Sequence, residues 1–293
     1  MKELSFFKGY QQDEQKRAAF NHLAVKTFDL SFEEWYQSGY WRNKYIPYTL
    51  FDGEQAVANV SVNIIDFSIF GHKQKTIQIG TVMTDEAYRN QGLSRKLMGK
   101  VFEDWKADNH LIYLFANSTV WGFYPKLGFK SVKEYQYQRT ITPTMKANFI
   151  KLNMDKTENR EKLYDYAQKA RPISKISMQE NADLVMFYGI TVYKDNVFYL
   201  PELDAIAIAK INERQLYLLD AFSKKDQSLD DIIHALSDGT IDTVQLGFVP
   251  KDCSSYEIIP IDEKEKDEML FVETDKTALF DENQLMFPLL SHA

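Results

Sequence analysis

The hydrophobic pattern is sharpest between residues 76 and 129. Over 76–84 the positions alternate, with Ile77, Ile79, Thr81 and Met83 on one side and Gln78, Gly80, Val82 and Thr84 on the other, which predicts a half-buried strand. A glycine inside a strand marks a bulge or a close approach by another backbone or a ligand, so Gly80 predicts an irregularity just before the polar loop 85–91. After Gly92 the period becomes helical, with Leu93, Leu97, Val101, Phe102 and Trp105 on one face and Arg95, Lys96, Lys100, Glu103 and Lys106 on the other. The run 111–116, Leu-Ile-Tyr-Leu-Phe-Ala, does not alternate and predicts a strand buried on both faces. Strand, helix and strand in that order form a parallel crossover unit.

Upstream, the spacing predicts a helix over 13–28 and a second from Ser31, with Ser31 as N-cap and Glu34 completing a capping box. Strands over 45–50 and 55–70 then form a hairpin about Asp52-Gly53. Downstream, a strand over 130–140 is expected to close the first domain, and Thr142-Pro-Thr-Met145 reads as a linker. A helix over 157–170, strands over 197–200, 204–211 and 215–221, a capped helix over 228–236 and a strand over 243–248 follow. This order repeats that of the first half. The expected architecture is α/β with mixed sheets, divided into domains 1–141 and 146–293. In the second domain the loop 222–228 contains no glycine and no Arg-x-x-Gly.

Composition changes this picture little. A length of 293 residues suffices for two cores without disulfides or metals, and 44% hydrophobic with 26% charged residues is ordinary for a globular chain. A net charge of −7 and a pI near 5.4 argue against nucleic-acid and anionic-membrane surfaces and weakly favour cationic substrates. The single Cys253, together with the lack of an apolar leader or membrane-length stretch, predicts a cytoplasmic protein. The five histidines show no metal-ligand spacing, so no metal is expected. Neither Gly-x-x-x-x-Gly-Lys-Ser/Thr nor Gly-x-Gly-x-x-Gly occurs.

The chemistry concentrates where the helix opens. A helix start leaves about four backbone N–H groups without partners and carries the positive end of the dipole. With glycine at that point and Arg89 and Arg95 flanking it, the loop can cradle phosphate oxygens. Arg89-Asn-Gln-Gly92-Leu-Ser94 resembles the acetyl-CoA pyrophosphate loop, Arg/Gln-x-x-Gly-x-Gly/Ala, of the GCN5-related N-acetyltransferases (GNAT). Asn117 followed by Phe123-Tyr-Pro-Lys-Leu-Gly-Phe129 is similar to their second motif. Ser94 departs from the preferred glycine or alanine.

The resemblance implies a GNAT acyl-CoA N-acyltransferase fold followed by a second, degenerate GNAT-like domain. This is the layout of the enhanced-intracellular-survival-type aminoglycoside acetyltransferases, although the chain is too short for their third domain, which puts an aminoglycoside acceptor in doubt. It further implies direct transfer from acetyl-CoA, as co-substrate, to a primary amine in a ternary complex. Val82, Met83 and Thr84 would pair with the pantetheine arm, with a backbone N–H assigned to Met83 facing the thioester oxygen. Arg89, Asn90, Gln91, Gly92, Leu93, Ser94 and Arg95 would hold the pyrophosphate. Asn117 would contact the arm, and Tyr124 would protonate the leaving thiolate. The splayed strand offers no Glu or Asp as general base, which leaves Asp66, a water chain or the Ala293 carboxylate. The last of these follows from the tandem type and from the apolar end 284–293, whose Met286, Phe287, Leu289 and Leu290 are expected to dock on the body. The acceptor would be a small-molecule or peptide amine. The aromatic cluster Trp35, Tyr36, Tyr40, Trp41, Tyr45 and Tyr48 is expected to be mainly core, with a stacking or cation–π wall as the alternative. A non-catalytic acyl-CoA-binding protein, a transferase of longer acyl groups and a homo-oligomer all stay open.

Overall fold

The computed structural model describes residues 3–108, 110–143, 147–261 and 268–292. The first half contains β1 (Ser5–Lys8), α1 (Glu14–Phe28), α2 (Glu33–Gln37), β2 (Tyr45–Asp52), β3 (Gln55–Ile69), β4 (His72–Thr84), α3 (Leu93–Trp105), β5 (Leu111–Asn117), β6 (Phe129–Ser131) and β7 (Tyr135–Thr140). The second half contains β8 (Ile150–Lys151), α4 (Thr157–Gln168), β9 (Ile176–Gln179), α5 (Ala182–Ile190), β10 (Val197–Leu200), β11 (Ala205–Asn212), β12 (Gln215–Ser223), α6 (Leu229–Leu236), β13 (Thr243–Leu246), β14 (Glu257–Pro260), β15 (Glu268–Glu273) and α7 (Ala278–Asp281). The expected linker over 142–145 falls partly outside the described residues.

Two mixed sheets result. One runs β1-β2-β3-β4-β5-β15-β6 with β9 added to the far end of β3, and the other runs β14-β7-β13-β12-β11-β10-β8. In each sheet an antiparallel meander leads to one parallel pair, β4 with β5 and β12 with β13. The crossover helix is α3 in the first case and α6 in the second. The repeat seen along the chain is therefore a repeat of topology.

The sheets do not divide the chain at 141–146. β7, expected to close the first sheet, pairs with β13 and β14 of the second, while β15 lies between β5 and β6 of the first. Each half thus lends the other a strand at the same place, beside the parallel pair. The expected continuous strand over 130–140 breaks between β6 and β7, where the chain leaves one sheet for the other. Met269, Leu270, Phe271 and Val272 of β15 are buried on both faces, and this packing holds the strand in place.

The capping expected at α2 also differs. Ser31 Oγ accepts from the Glu33 N–H at 3.3 Å, but Phe32 occupies the N-cap. Glu34 turns away to Arg160, whose Nη2 donates at 2.8 Å, so this carboxylate ties the first helical pair to α4. Asp13 and Ser228 cap α1 and α6 through their side chains. The aromatic cluster is mainly core: Trp35, Trp41, Tyr45 and Tyr48 are buried, and Tyr36 carries the Arg17 guanidinium 3.7 Å over its ring.

Two apolar clusters lie on opposite faces of the first sheet. Leu97, Met98 and Val101 of α3 pack with Ile112, Leu114, Phe271 and Tyr124 on one face. Phe20 and Leu23 of α1, Trp35, Phe187 of α5, Tyr113, Leu270 and Phe287 pack on the other. The docking expected of the C-terminal segment is found, with Met286, Phe287 and Leu290 buried and Phe287 stacked on Tyr113 at 4.2 Å.

Candidate active site

Pairing of β4 with β5 stops at Ile79–Leu114, after which both strands continue and diverge. The divergence begins where β4 is irregular. Ser61 faces Gly80 and Asn59 faces Met83, so Thr81 and Val82 together stand opposite Val60. The bulge expected from Gly80 is present, but the left-handed residue is its neighbour Thr81, at φ +43°. A β-branched residue in that region costs about 1–3 kcal/mol, and its surroundings must hold it there. They do so through a buried polar network. Asn59 Nδ2 donates to the Thr81 carbonyl and to Ser61 Oγ, both at 2.9 Å, and Asn59 Oδ1 accepts from Thr49 Oγ1 at 2.7 Å. Thr49 in turn meets Tyr10 OH, and Tyr45 OH bonds Thr81 Oγ1.

The loop after β4 is pinned at both ends. Asp85 accepts from Lys26 Nζ at 2.9 Å and from the Ala87 N–H at 3.0 Å, and the Lys26 bond holds its carboxyl below the usual range. Tyr88 OH donates to Asp52 at 2.5 Å. Asn90 and Gly92 then take positive φ (62° and 73°), and α3 starts at Leu93 with no side-chain cap. Its first backbone bond runs from the Lys96 N–H to the Gly92 carbonyl, so the N–H groups before Lys96 face outward without helical acceptors. Thr84 Oγ1 and Ser94 Oγ are 2.9 Å apart, which joins the end of β4 to the first turn of α3; serine at 94 supplies that bond.

The divergence forms a cleft of about 1480 Å³, larger than the roughly 300–1,000 Å³ of a pocket for one small ligand. Its lining includes Val82, Met83, Thr84, Arg89, Asn90, Gly92, Leu93, Ser94, Arg95, Asn117 and Tyr124. Of the residues expected at the site, Gln91 is exposed outside the lining, its side chain directed back to the Ala87 carbonyl, and Ala293 lies outside the described residues. The Met83 side chain is buried in the core, so only its backbone can serve a ligand. Arg89 is exposed, 3.6 Å from Glu86.

Asn117 ends β5, and its Oδ1 accepts from the Thr119 N–H at 3.2 Å, which starts the turn leading to Tyr124. Tyr124 opens the short helix Tyr124–Leu127, its ring packed among Phe123, Phe129 and Phe271. Burial pushes its phenol up to about 12. Asp66, considered above as a base, is not part of the cleft. It pairs with Lys75, five residues before Gly80 and roughly 16 Å along the strand, and binds Lys44 Nζ at 2.7 Å.

The cleft passes through the sheet and opens on both faces. On the α3 side stand the helix start, Arg89, Arg95, Lys126 and Tyr124. On the other side stand Phe32 and Trp35, Leu184, Phe187 and Tyr188 of α5, Glu268 of β15 and His292. Trp35 belongs to the aromatic cluster for which a wall was the alternative, whereas sequence reading did not find Leu184, Phe187, Tyr188, Glu268 and His292, because α5 and β15 reach the cleft only through long-range packing. Their one local trace is the apolar chain end that carries His292. Among the described residues no group of three or more His, Cys, Asp or Glu could hold a metal ion, and no helix is long and apolar enough to cross a membrane.

The second sheet has the same gap, filled by the chain itself. β12 pairs with β13 up to Leu218–Leu246, with its own register break opposite Leu219. The Gly247 carbonyl accepts from the Leu289 N–H at 2.9 Å. A Cβ on Gly247 would stand 2.8 Å from the Leu219 carbonyl and 3.1 Å from Leu289 Cδ1, so only glycine admits this fit. At the start of α6, Ser228 caps the helix and Asp230 and Asp231 occupy its first turn, an arrangement hostile to phosphate.

Comparison with known proteins agrees with this geometry. Residues 11–132 match the family model for the acetyltransferase (GNAT) domain. Eis1 from Mycobacterium abscessus superposes with a TM-score of 0.56 at 13% identity, covering 94% of this chain and 75% of that one. A probable N-acyltransferase from Enterococcus faecalis gives 0.55 at 15% identity, covering 94% and 74%. A GCN5-related N-acetyltransferase from Kribbella flavida gives 0.54 at 13%, covering 92% and 71%. No curated protein matches the sequence. Residues 11–132 thus match the acetyltransferase (GNAT) domain, and over most of its length the chain shares the fold of these solved acetyltransferase-like structures.

Proposed function

We propose that the protein is an acetyl-CoA-dependent N-acetyltransferase that passes the acetyl group directly to a primary amine in a ternary complex. The observation that carries this reading is a gap through the first sheet joining an uncapped helix start, flanked by Arg89 and Arg95, to an aromatic chamber on the opposite face. One opening suits an anionic, phosphate-bearing thioester and the other a separate acceptor, so the two can meet without a covalent enzyme intermediate.

In this reading the N–H groups of Gly92, Leu93, Ser94 and Arg95, with Arg89 and Asn90, hold the pyrophosphate. The diverging backbone of Val82, Met83 and Thr84 receives the pantetheine arm opposite Asn117, and the Met83 N–H steadies the developing oxyanion. Tyr124 supplies the proton to the departing sulfur. A phenol at about 12 stays protonated across the working pH range. Transfer to a free thiolate would be uphill, but the same cleft desolvates the sulfur and raises its basicity as well. The Ala293 carboxylate, expected as a base, would follow directly on His292.

The test is a panel of primary amines incubated with acetyl-CoA and read out as free thiol release. Turnover with at least one amine is expected. Thioester binding without turnover on any amine, peptide amines included, would leave a binding protein instead.

A further inference from the structure

We propose that the His292 imidazole is the group that removes the proton from the acceptor ammonium, with Glu268 as its positioning residue. This rests on the acyl-transfer reading and deepens it. Tyr124 belongs to the α3 face of the sheet, whereas His292 stacks on Phe115 on the other face, with ring centroids 3.5 Å apart and planes 21° from parallel. Both line the one cleft. A thioester entering past α3 presents its sulfur to Tyr124, and an amine entering from the opposite chamber passes His292.

Three contacts fix the imidazole. Phe115 supports its plane, and Tyr188 OH of α5 donates to its backbone carbonyl. The preceding turn, Leu289–Ser291, is anchored in the gap of the second sheet through Leu289. Glu268 faces Asn117, and Leu270 faces Phe115, in the β15–β5 ladder. The Glu268 side chain therefore shares the face of Phe115, a diagonal neighbour at about 7–8 Å. Among the described residues, the titratable groups on the elements packed around His292 include Tyr113 of β5, with Glu134 behind it on the Phe287 N–H, Tyr188 of α5 backed by Tyr193, and Glu268 of β15. Burial raises both Tyr113 and Tyr188, so neither phenol ionises in the working range. Glu268 is the acid on that face able to orient the ring and balance an imidazolium.

The proton account closes. The imidazole takes one proton from R–NH3+, and the neutral amine attacks the thioester carbonyl, forming the C–N bond. The C–S bond breaks, and the thiolate takes the Tyr124 proton. The second proton on nitrogen replaces it on the phenol, and the imidazolium releases its own to solvent.

An imidazole has a reference pKa of about 6.5. The experiment compares kcat/KM against pH for the wild type, for His292→Gln, and for a chain extended by two glycines after Ala293, which displaces the terminal carboxylate. His292→Gln keeps the carbonyl that Tyr188 binds, and calorimetry checks that cofactor affinity is retained. Expected is a loss of about 10²–10⁴-fold at neutral pH that narrows where the amine is already neutral, with partial rescue by added imidazole, while the extended chain keeps the wild-type profile. A His292→Gln profile like the wild type, or an equal loss in the extended chain, overturns the proposal and leaves the acyl-transfer reading intact. A wild type inactive on every amine overturns that reading instead.

Discussion

Arg89 and Gly92 serve the proposed cradle by different means, and their substitutions should differ in kind. Arg89→Ala removes a charged partner from an exposed position where the fold does not need it. A lost charge-assisted hydrogen bond of roughly 1.5–3 kcal/mol corresponds to about 10–150-fold weaker acetyl-CoA binding. At Gly92 a Cβ would meet nothing within 4 Å, so Gly92→Ala acts through the left-handed backbone at φ +73°. It should cost about 1–2 kcal/mol of stability as well as affinity. Calorimetric affinities unchanged in both variants would remove the cradle. Tyr124→Phe keeps the ring packing on Phe123, Phe129 and Phe271, so kcat should fall about 10²–10⁴-fold at unaltered cofactor affinity. Wild-type turnover in that variant would make Tyr124 a core residue only.

The bulge in β4 is the element on which the cleft depends, and Asn59 bonds it on one side and Thr49 on the other. Asn59→Ala should destabilise the protein by about 1–3 kcal/mol, leaving the half-buried Thr81 carbonyl and the buried Thr49 hydroxyl with fewer partners. If the bulge relaxes as well, KM for the thioester rises more than the stability loss alone explains. Equal KM with lowered Tm would confine Asn59 to stability. Legibility in the sequence followed the range of the interactions. Alternation around Gly80 and the helical period after Gly92 are local, so strand, loop and helix could be read directly. Asn59, by contrast, is one polar residue in an apolar strand, and its partner lies 22 residues away. Glu268 and His292 reach the cleft only through the pairing of β15 with β5 and the docking of the chain end, neither of which leaves a periodic signature.

At the scale of the whole molecule, the exchange of β7 and β15 was invisible for the same reason: β7 alternates aromatic with polar residues and β15 is a short apolar run, both ordinary strand patterns, and nothing in either names its neighbour. The exchange bears on how the protein is made. β6 ends at Ser131, and the strand that must lie beside it begins only at Glu268. On a ribosome adding roughly 5–20 residues per second, about 140 further residues take about 7–30 seconds, during which the apolar edges of β5 and β6 stand open. The N-terminal half is therefore expected to complete its native sheet only after β15 has emerged. Ribosome-bound chains arrested once residues 1–200 have emerged should leave 1–131 sensitive to protease, and protection should appear only after β15 is out. Early protection would mean that β5 and β6 pair with each other first and that β15 must later part them.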